Sequence, residues 1–253
     1  MSLTDPSETV THPPLDLLRG ASLFLDFDGT LVEIEARPDD TRVSDRVRAL
    51  MAKLSARLDG RVAIISGRPL DQIDGLFGGA SFAISGSHGL EVRMPDGQIS
   101  APERPVGLDH ALKEVRALQT KHEALVIEDK PFGVSLHYRL APHIEDECRA
   151  LAYAMADQDG LQLQLGKMMF EVRVAGKDKG HGLRALMKSP VMAGTRPVFI
   201  GDDDTDEPAL AAAEDMGGAG IVVDPIRPSA ARYRLADVAA TLAWLESAAD
   251  ELS

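Results

Sequence analysis

Apolar residues fall in two rhythms along this chain. In the first, short unbroken apolar runs alternate with segments whose apolar side chains recur every three or four positions. Leu23-Phe-Leu25, Val62-Ala-Ile-Ile65, Phe82-Ala-Ile-Ser85, Pro197-Val-Phe-Ile200 and Ala219-Gly-Ile-Val-Val223 are such runs. An unbroken run bounded by turn residues predicts a strand covered on both faces. Between them, Val43, Val47, Leu50, Met51, Leu54 and Leu58 keep helical spacing behind Ser44, a good helix cap. Pro69 opens a second helix carrying Ile73, Leu76 and Phe77. Helices are also expected over 179–188, from Pro208 onward, and behind Asp237 with Val238, Leu242 and Leu245. Gly182 inside the first of these costs about 1 kcal/mol relative to Ala. Strands alternating with helices predict an α/β fold built on a parallel sheet.

Near residue 107 the rhythm changes. Leu108, Leu112, Val115 and Leu118 line one helix, and Ile144, Cys148, Leu151, Ala152 and Met155 line another behind Pro142. Each is followed by a pair of strand candidates, 124–128 with 132–139 and 161–165 with 168–174. This αββαββ order predicts a compact α+β unit inserted into the α/β frame. Strict alternation gives its sheet one apolar and one polar face. Val134, Leu136 and Tyr138 point one way, and Ser135, His137 and Arg139 the other. Phe170, Val172 and Val174 likewise oppose Met169, Glu171 and Arg173. His137, Arg139, Glu171 and Arg173 are therefore expected on an open polar face, which serves either a ligand or plain solvation.

Composition narrows the partners. With 253 residues, 44% hydrophobic and 26% charged, the chain can bury a large core. A net charge of -13 argues against nucleic acid or an anionic membrane as a partner, so an anionic ligand needs a local basic pocket. The single cysteine, Cys148, excludes an internal disulfide and a Cys-based zinc cage, and its neighbours make it a buried helix-face thiol. No stretch is apolar enough to span a bilayer, and the polar first dozen residues read as a loose tail without a signal-peptide core. A cytoplasmic protein is expected. Oligomeric state is open, and a monomer is compatible with the sequence.

The chemistry collects at strand ends. Asp26-Phe-Asp28-Gly-Thr30 follows the first run, and Gly201-Asp-Asp-Asp-Thr-Asp-Glu207 follows the fourth. Carboxylates at the carboxyl ends of parallel strands stand where open α/β sheets bind ligands. They suit a hard cation, and one can attack an electrophile while another moves protons. A calcium loop of the EF-hand kind does not fit. Gly29 stands fourth from Asp26 where the sixth is needed, and Arg37 and Ala213 occupy the twelfth positions. Ser66 can cap the helix after it, Lys179 alone would be a surface lysine, and His88 can be a turn histidine.

Taken in order, Asp26/Asp28, Ser66, Lys179 and Asp202/Asp203 resemble the four signature motifs of the haloacid dehalogenase (HAD) superfamily of phosphotransferases. The resemblance spans nearly the whole chain. It implies a HAD-type, Rossmann-like parallel sheet core formed by residues 1–106 and 175–253. It also implies a C2-type cap of αββαββ form at 107–174 that recognises substrate. In finer detail, Ile65-Ser-Gly-Arg68, Ser87-His-Gly-Leu-Glu91, Leu136-His-Tyr-Arg139, Glu171-Val-Arg173, Lys179-Gly180 and the acidic run at 201–207 resemble the trehalose-6-phosphate phosphatases. Gly182 departs from that family, which more often carries Ala there.

The resemblance implies roles. Asp26 would be the nucleophile that forms an aspartyl-phosphate, and Asp28 the acid and base. Mg²⁺ would be held by Asp26, the Asp28 carbonyl and Asp202, with Asp203 and Asp206 behind them and Asp203 acting through water or Lys179. Ser66 and neighbouring amides would bind phosphoryl oxygens beside the Lys179 charge. Gly67, Arg68, His88, Lys130, His137, Arg139, Lys167 and Glu171 are the expected substrate contacts, with Glu171 first for paired sugar hydroxyls. A small-molecule sugar phosphate is the implied partner. Phosphatases of sucrose phosphate or mannosyl-phosphoglycerate carry similar caps, and a non-catalytic phosphosugar-binding regulatory module on the same fold is a third reading.

Overall fold

The computed structural model describes residues 11–252 except 36, 38, 39, 159, 167 and 225. Two compact units divide the chain, one made of residues 1–100 and 178–253 and the other of Ala101–Lys177. The larger unit begins with β1 (Ala21–Leu25), α1 (Asp45–Arg57), β2 (Val62–Ile65), α2 (Leu70–Phe77), β3 (Ala83–Gly86), β4 (Glu91–Arg93) and β5 (Ile99–Ser100). The smaller unit follows with α3 (Val106–Gln119), β6 (Val126–Lys130), β7 (Gly133–His137), α4 (Glu145–Ala156), β8 (Leu161–Gly166) and β9 (Met169–Val174). The larger unit is completed by α5 (Lys179–Leu186), β10 (Arg196–Gly201), α6 (Glu207–Asp215), β11 (Ala219–Val223), β12 (Tyr233–Leu235) and α7 (Val238–Glu251).

Runs that are apolar throughout have no face to give to water, so they fill the middle of a sheet. The eight-stranded sheet runs β12-β11-β10-β1-β2-β3-β4-β5. From β12 to β3 every pairing is parallel, and only β4 and β5 turn back. Side chains of β1 split between two cores. Leu23 and Leu25 pack with α1 and α7 residues such as Leu54 and Leu245, while Phe24 packs with Leu183 and Leu210. The chain leaves β1 toward β2 on one side and later returns with β10 on the other. That reversal opens a crevice at the carboxyl ends of β1 and β10.

Local signals act as their chemistry dictates. Ser44 Oγ accepts from Val47 N at 3.3 Å, and Asp237 Oδ1 from Ala240 N at 2.8 Å, so both expected caps form. β4, β5 and β12 are short strands at the two margins of the sheet without an apolar run to announce them. At the end of the expected tail Thr11 bridges Tyr233, and just beyond it Pro13 O accepts from Trp244 Nε1 at 3.0 Å, which fixes the chain from there; residues 1–10 lie outside the described residues. No helix among the described residues is long and apolar enough to cross a membrane.

The smaller unit is an antiparallel sheet in the order β6-β7-β9-β8 with α3 and α4 on its apolar face. Val134, Leu136, Tyr138, Phe170 and Val172 meet Leu108, Val115, Cys148 and Met155 in one core, where Tyr138 stacks on Phe170 at 5.3 Å. Burial pushes the Cys148 thiol up to about 11, helped by Glu147, which leaves it un-ionised. Two expectations need correction. β7 ends at His137, so Arg139 lies in an exposed turn and not on the sheet. The polar face is also only partly open: Ser135, Glu171 and Arg173 are buried, while Glu128, Lys130 and His137 keep some exposure.

Candidate active site

The Asp26 amide extends the sheet ladder by donating to Ile200 O at 2.8 Å, which plants the carboxylate just past β1. Asp178 caps α5 by accepting from His181 N, and Lys179 opens that helix with its ammonium turned into the crevice. Lys179 Nζ donates to Asp26 Oδ1 at 2.7 Å and to Asp206 Oδ1 at 2.8 Å. All three side chains are at most 5% exposed. Asp206 Oδ2 in turn accepts from the amides of Asp202 and Asp203 at 3.0 and 3.1 Å, so this residue braces the whole loop after β10.

Gly29 shows how tightly the two loops meet. Its φ of +81° is left-handed, and a Cβ there would stand 2.1 Å from Asp202 Oδ2. Only glycine allows the Asp202 carboxylate over the turn. Asp26, Asp202 and Asp206 then offer oxygens within 4.8 Å of one another.

Charge in this cluster is out of balance. Burial raises the Asp26 carboxyl, and Asp202 and Asp203 add to it against the opposing pull of Lys179, leaving it at about 8. Burial and the neighbouring Asp206 and Asp203 lift Asp202 to about 7. Asp206 is raised by burial and by Asp26. Burial favours a neutral Lys179, yet the Asp206 and Asp26 charges outweigh it and hold the ammonium firmly protonated. One ammonium facing three crowded carboxylates is a donor set of hard oxygens short of positive charge. A divalent cation with oxygen preference fits it.

Several expected positions fall elsewhere. Asp203 does not bond Lys179 among the described contacts; its Oδ1 accepts from Thr205 N and Oγ1, closing a capping box with Asp206. Asp28 turns to Arg68, which donates from Nε at 2.6 Å and Nη2 at 2.7 Å to its two oxygens. Arg68, expected among the substrate contacts, thus carries a carboxylate, and it also donates to the buried Thr41 Oγ1 at 2.8 Å. Thr41 had no signal in the sequence, since it stands in a loop and touches Arg68 only through the fold.

Ser66 Oγ accepts from Arg68 N at 3.1 Å, and Ser66 N donates to Ser85 O. The Ser66–Arg68 loop rests on an unusual turn. Ser87, His88 and Gly89 all have left-handed φ, at 50°, 53° and 90°. Two of these amides bond back to the loop, Ser87 N to Arg68 O and His88 N to Ser66 O. The His88 ring lies against Gly67, where a Cβ would come within 2.5 Å of Nε2.

Gly182 also has a packing reason. A Cβ there would stand 2.3 Å from Ser85 Oγ, so Ala at this position would have to displace that hydroxyl. The helix-propensity cost read from sequence is the smaller consideration.

In the smaller unit, Lys130 Nζ donates to Glu171 Oε2 at 3.0 Å and lies 3.5 Å from Glu128 Oε2, which also meets His137 Nε2 at 3.3 Å. Glu128 was not among the expected residues, although its register opposite Ser135, itself opposite Glu171, follows from the strand pairing. Lys167 lies outside the described residues.

Acidic motifs after β1 and β10, on either side of the sheet reversal and bridged by Lys179 of α5, sit on a fold of the HAD class. The fold is shared with a phosphatase of the haloalkanoate (HAD) enzyme superfamily from Bacteroides thetaiotaomicron, with TM-score 0.57 at 16% identity over 96% of this chain and 97% of that one. Within the class, this chain belongs to the trehalose-phosphatase family, whose family model matches residues 24–239. A probable trehalose-phosphate phosphatase of Sinorhizobium fredii is 37% identical over 211 residues, 82% of this chain and 79% of the relative. The C-terminal domain of the Candida albicans trehalose-6-phosphate phosphatase shares the fold with TM-score 0.79 at 22% identity, over 93% of this chain and 95% of that one.

Proposed function

We propose that this chain hydrolyses trehalose 6-phosphate to trehalose and phosphate, with Asp26 as nucleophile and Asp28 as acid and base. The observation that carries this reading is the buried Asp26 carboxylate pinned by Lys179 inside an acidic cluster, in a chain of the trehalose-phosphatase family. The chain is a phosphoric monoester hydrolase. Lys179 fixes the Asp26 carboxylate by Oδ1, which leaves the other oxygen to attack phosphorus. As that bond forms, the bond from phosphorus to the sugar oxygen breaks, and Asp28 gives the oxygen its proton. Water then attacks the aspartyl-phosphate, its proton passes to Asp28, and Asp26 is released with inorganic phosphate.

Mg²⁺ is the proposed cofactor. Asp206 is already engaged by Lys179 and two amides, so Asp26, Asp202 and the Asp28 carbonyl would hold the ion while Asp206 holds the loop. When bound, the ion offsets the repulsion between carboxylate and phosphate. Ser66, the amides of Gly67 and Arg68, and Lys179 receive the phosphoryl oxygens, with His88 supporting Gly67 from behind. The polar face carrying Lys130, His137 and Glu171 supplies partners for sugar hydroxyls.

Phosphate release with Mg²⁺ tests the reading across trehalose 6-phosphate, sucrose phosphate, mannosyl-phosphoglycerate and glucose 6-phosphate. Trehalose 6-phosphate should give the highest kcat/KM. A higher value for another ester would replace the substrate, and no release from any would leave a binding module.

A further inference from the structure

The loop at Ser66–Arg68 makes two kinds of contact. Its hydroxyl and amides face the phosphate-binding role, whereas the Arg68 guanidinium reaches back to Asp28. Nε and Nη2 meet the two carboxylate oxygens separately, at 2.6 and 2.7 Å, which is a fork. The same Nη2 donates to Thr41 Oγ1 at 2.8 Å, and the guanidinium carbon lies 5.6 Å from the centre of the Phe27 ring. Thr41 is 1% exposed and the Arg68 side chain 11%, so the guanidinium is lodged and not waving in solvent.

A planar fork on a carboxylate sets direction as well as distance, which a lysine ammonium does not. Direction is what a proton carrier needs. Asp28 has to aim one oxygen at the leaving group and later at water, and a misplacement of about 1 Å can cost roughly a hundredfold.

We infer that Arg68 is a positioning residue for Asp28: braced by Thr41, it holds the proton-carrying carboxylate in one orientation and ties it to the phosphate-binding loop. The inference rests on the assignment of Asp28 as acid and base. Arg68 itself gives up no proton and forms no bond to the reacting atoms. In the first step the proton moves from Asp28 to the sugar oxygen as the phosphorus–oxygen bond breaks. In the second it moves from water to Asp28 as the phosphorus–Asp26 bond breaks. A misaimed Asp28 slows both steps for a sugar ester, but only the second for p-nitrophenyl phosphate, whose leaving group needs no proton.

Three variants test this beside Asp28→Asn as the reference. Arg68→Met removes the donors and keeps the stem, Arg68→Lys keeps charge without the fork, and Thr41→Val keeps shape without the hydroxyl. With p-nitrophenyl phosphate, Arg68→Met should copy Asp28→Asn, with a burst of nitrophenol equal to the enzyme and then turnover slowed roughly a hundredfold. On trehalose 6-phosphate its kcat should fall by a similar factor with KM little changed. Arg68→Lys should remain at least about tenfold impaired, and Thr41→Val should move the same way by a few-fold.

The alternatives read differently. Steady p-nitrophenyl phosphate turnover with a raised KM for trehalose 6-phosphate would make Arg68 a sugar ligand. Loss of the burst would make it a phosphate ligand, and faster turnover would make the fork a brake. Each of these overturns the inference. If Asp28→Asn itself turns over both substrates, the role of Asp28 falls and this inference with it. If Asp28→Asn stalls and Arg68→Met does not, only the inference falls.

Discussion

Each unit buries a lysine between two acids, yet the two networks differ in balance. In the larger unit, Lys179 bridges Asp26 and Asp206 with Asp202 crowded beside them, and the carboxyls are driven up by burial and by one another. In the smaller unit, Lys130 lies between Glu171 and Glu128, and His137 supports Glu128. Burial alone would raise the Glu128 carboxyl, but His137 and Lys130 hold it below its ordinary value. Burial would likewise lower Lys130, and Glu171 and Glu128 raise it instead. The first network lacks positive charge and is ready for a cation and a phosphoryl group. The second is satisfied within itself, so it can present aimed donors and acceptors to neutral hydroxyls. On the proposed reading, unbalanced charge would mark the chemistry and balanced charge the recognition surface.

The largest test of this contrast is Asp26→Asn. Turnover should vanish, and no phosphate should be trapped on the protein. Because the change removes one of three crowded carboxylates, melting temperature without metal should rise; a fall would break the contrast. Chelation comes next. Excess chelator should abolish phosphate release and added Mg²⁺ restore it. Mg²⁺ should also raise the melting temperature of wild type, as a ligand of the native state does, but much less that of Asp202→Asn.

In the smaller unit the signs reverse. Glu171→Gln takes a charge from a satisfied network, so it should lower the melting temperature. It should also cut kcat/KM for trehalose 6-phosphate roughly ten- to a hundredfold, the worth of a charged hydrogen bond. Hydrolysis of a small aryl phosphate should be little changed. Glu128→Gln gives the smallest effect, about 1 kcal/mol or less. Its carboxyl is depressed in the folded state, so its stabilisation is present above the ordinary value of 4.5 and is lost as pH falls through the lower folded value. Urea unfolding of wild type and variant should therefore differ near neutrality and converge in acid.

Legibility in the sequence followed burial. β2 and β11 match their apolar runs residue for residue, because strands covered on both faces need apolar residues throughout. β4 and β12 gave no signal, since short strands at the sheet's margins draw on neighbours and not on pattern. The candidate site divides similarly. Asp26, Ser66, Lys179 and Asp202 follow from motif order, but the Arg68 fork joins positions 40 residues apart and depends on the whole fold. Which acid of the 202–206 run meets Lys179 was equally hidden. A single tight turn, Asp204–Asp206, sends Asp206 inward and leaves Asp203 to cap it.

The close approach of Gly182 to Ser85 makes mutational history matter. Ser85 Oγ is buried with no hydrogen-bond partner among the described residues, so Ser85→Ala should cost little. Gly182→Ala on its own puts a methyl 2.3 Å from the Ser85 Oγ position, which forces the buried hydroxyl to shift and should destabilise by about 1–3 kcal/mol. After Ser85→Ala, the nearest atom to the new methyl is the residue 85 Cβ at 3.0 Å, a tight contact that small shifts can relieve. The double variant should therefore melt well above the sum of the single effects. Alanine at 182 is then reachable by one order of substitutions and closed to the other, a sign-dependent epistasis held in one helix–strand contact.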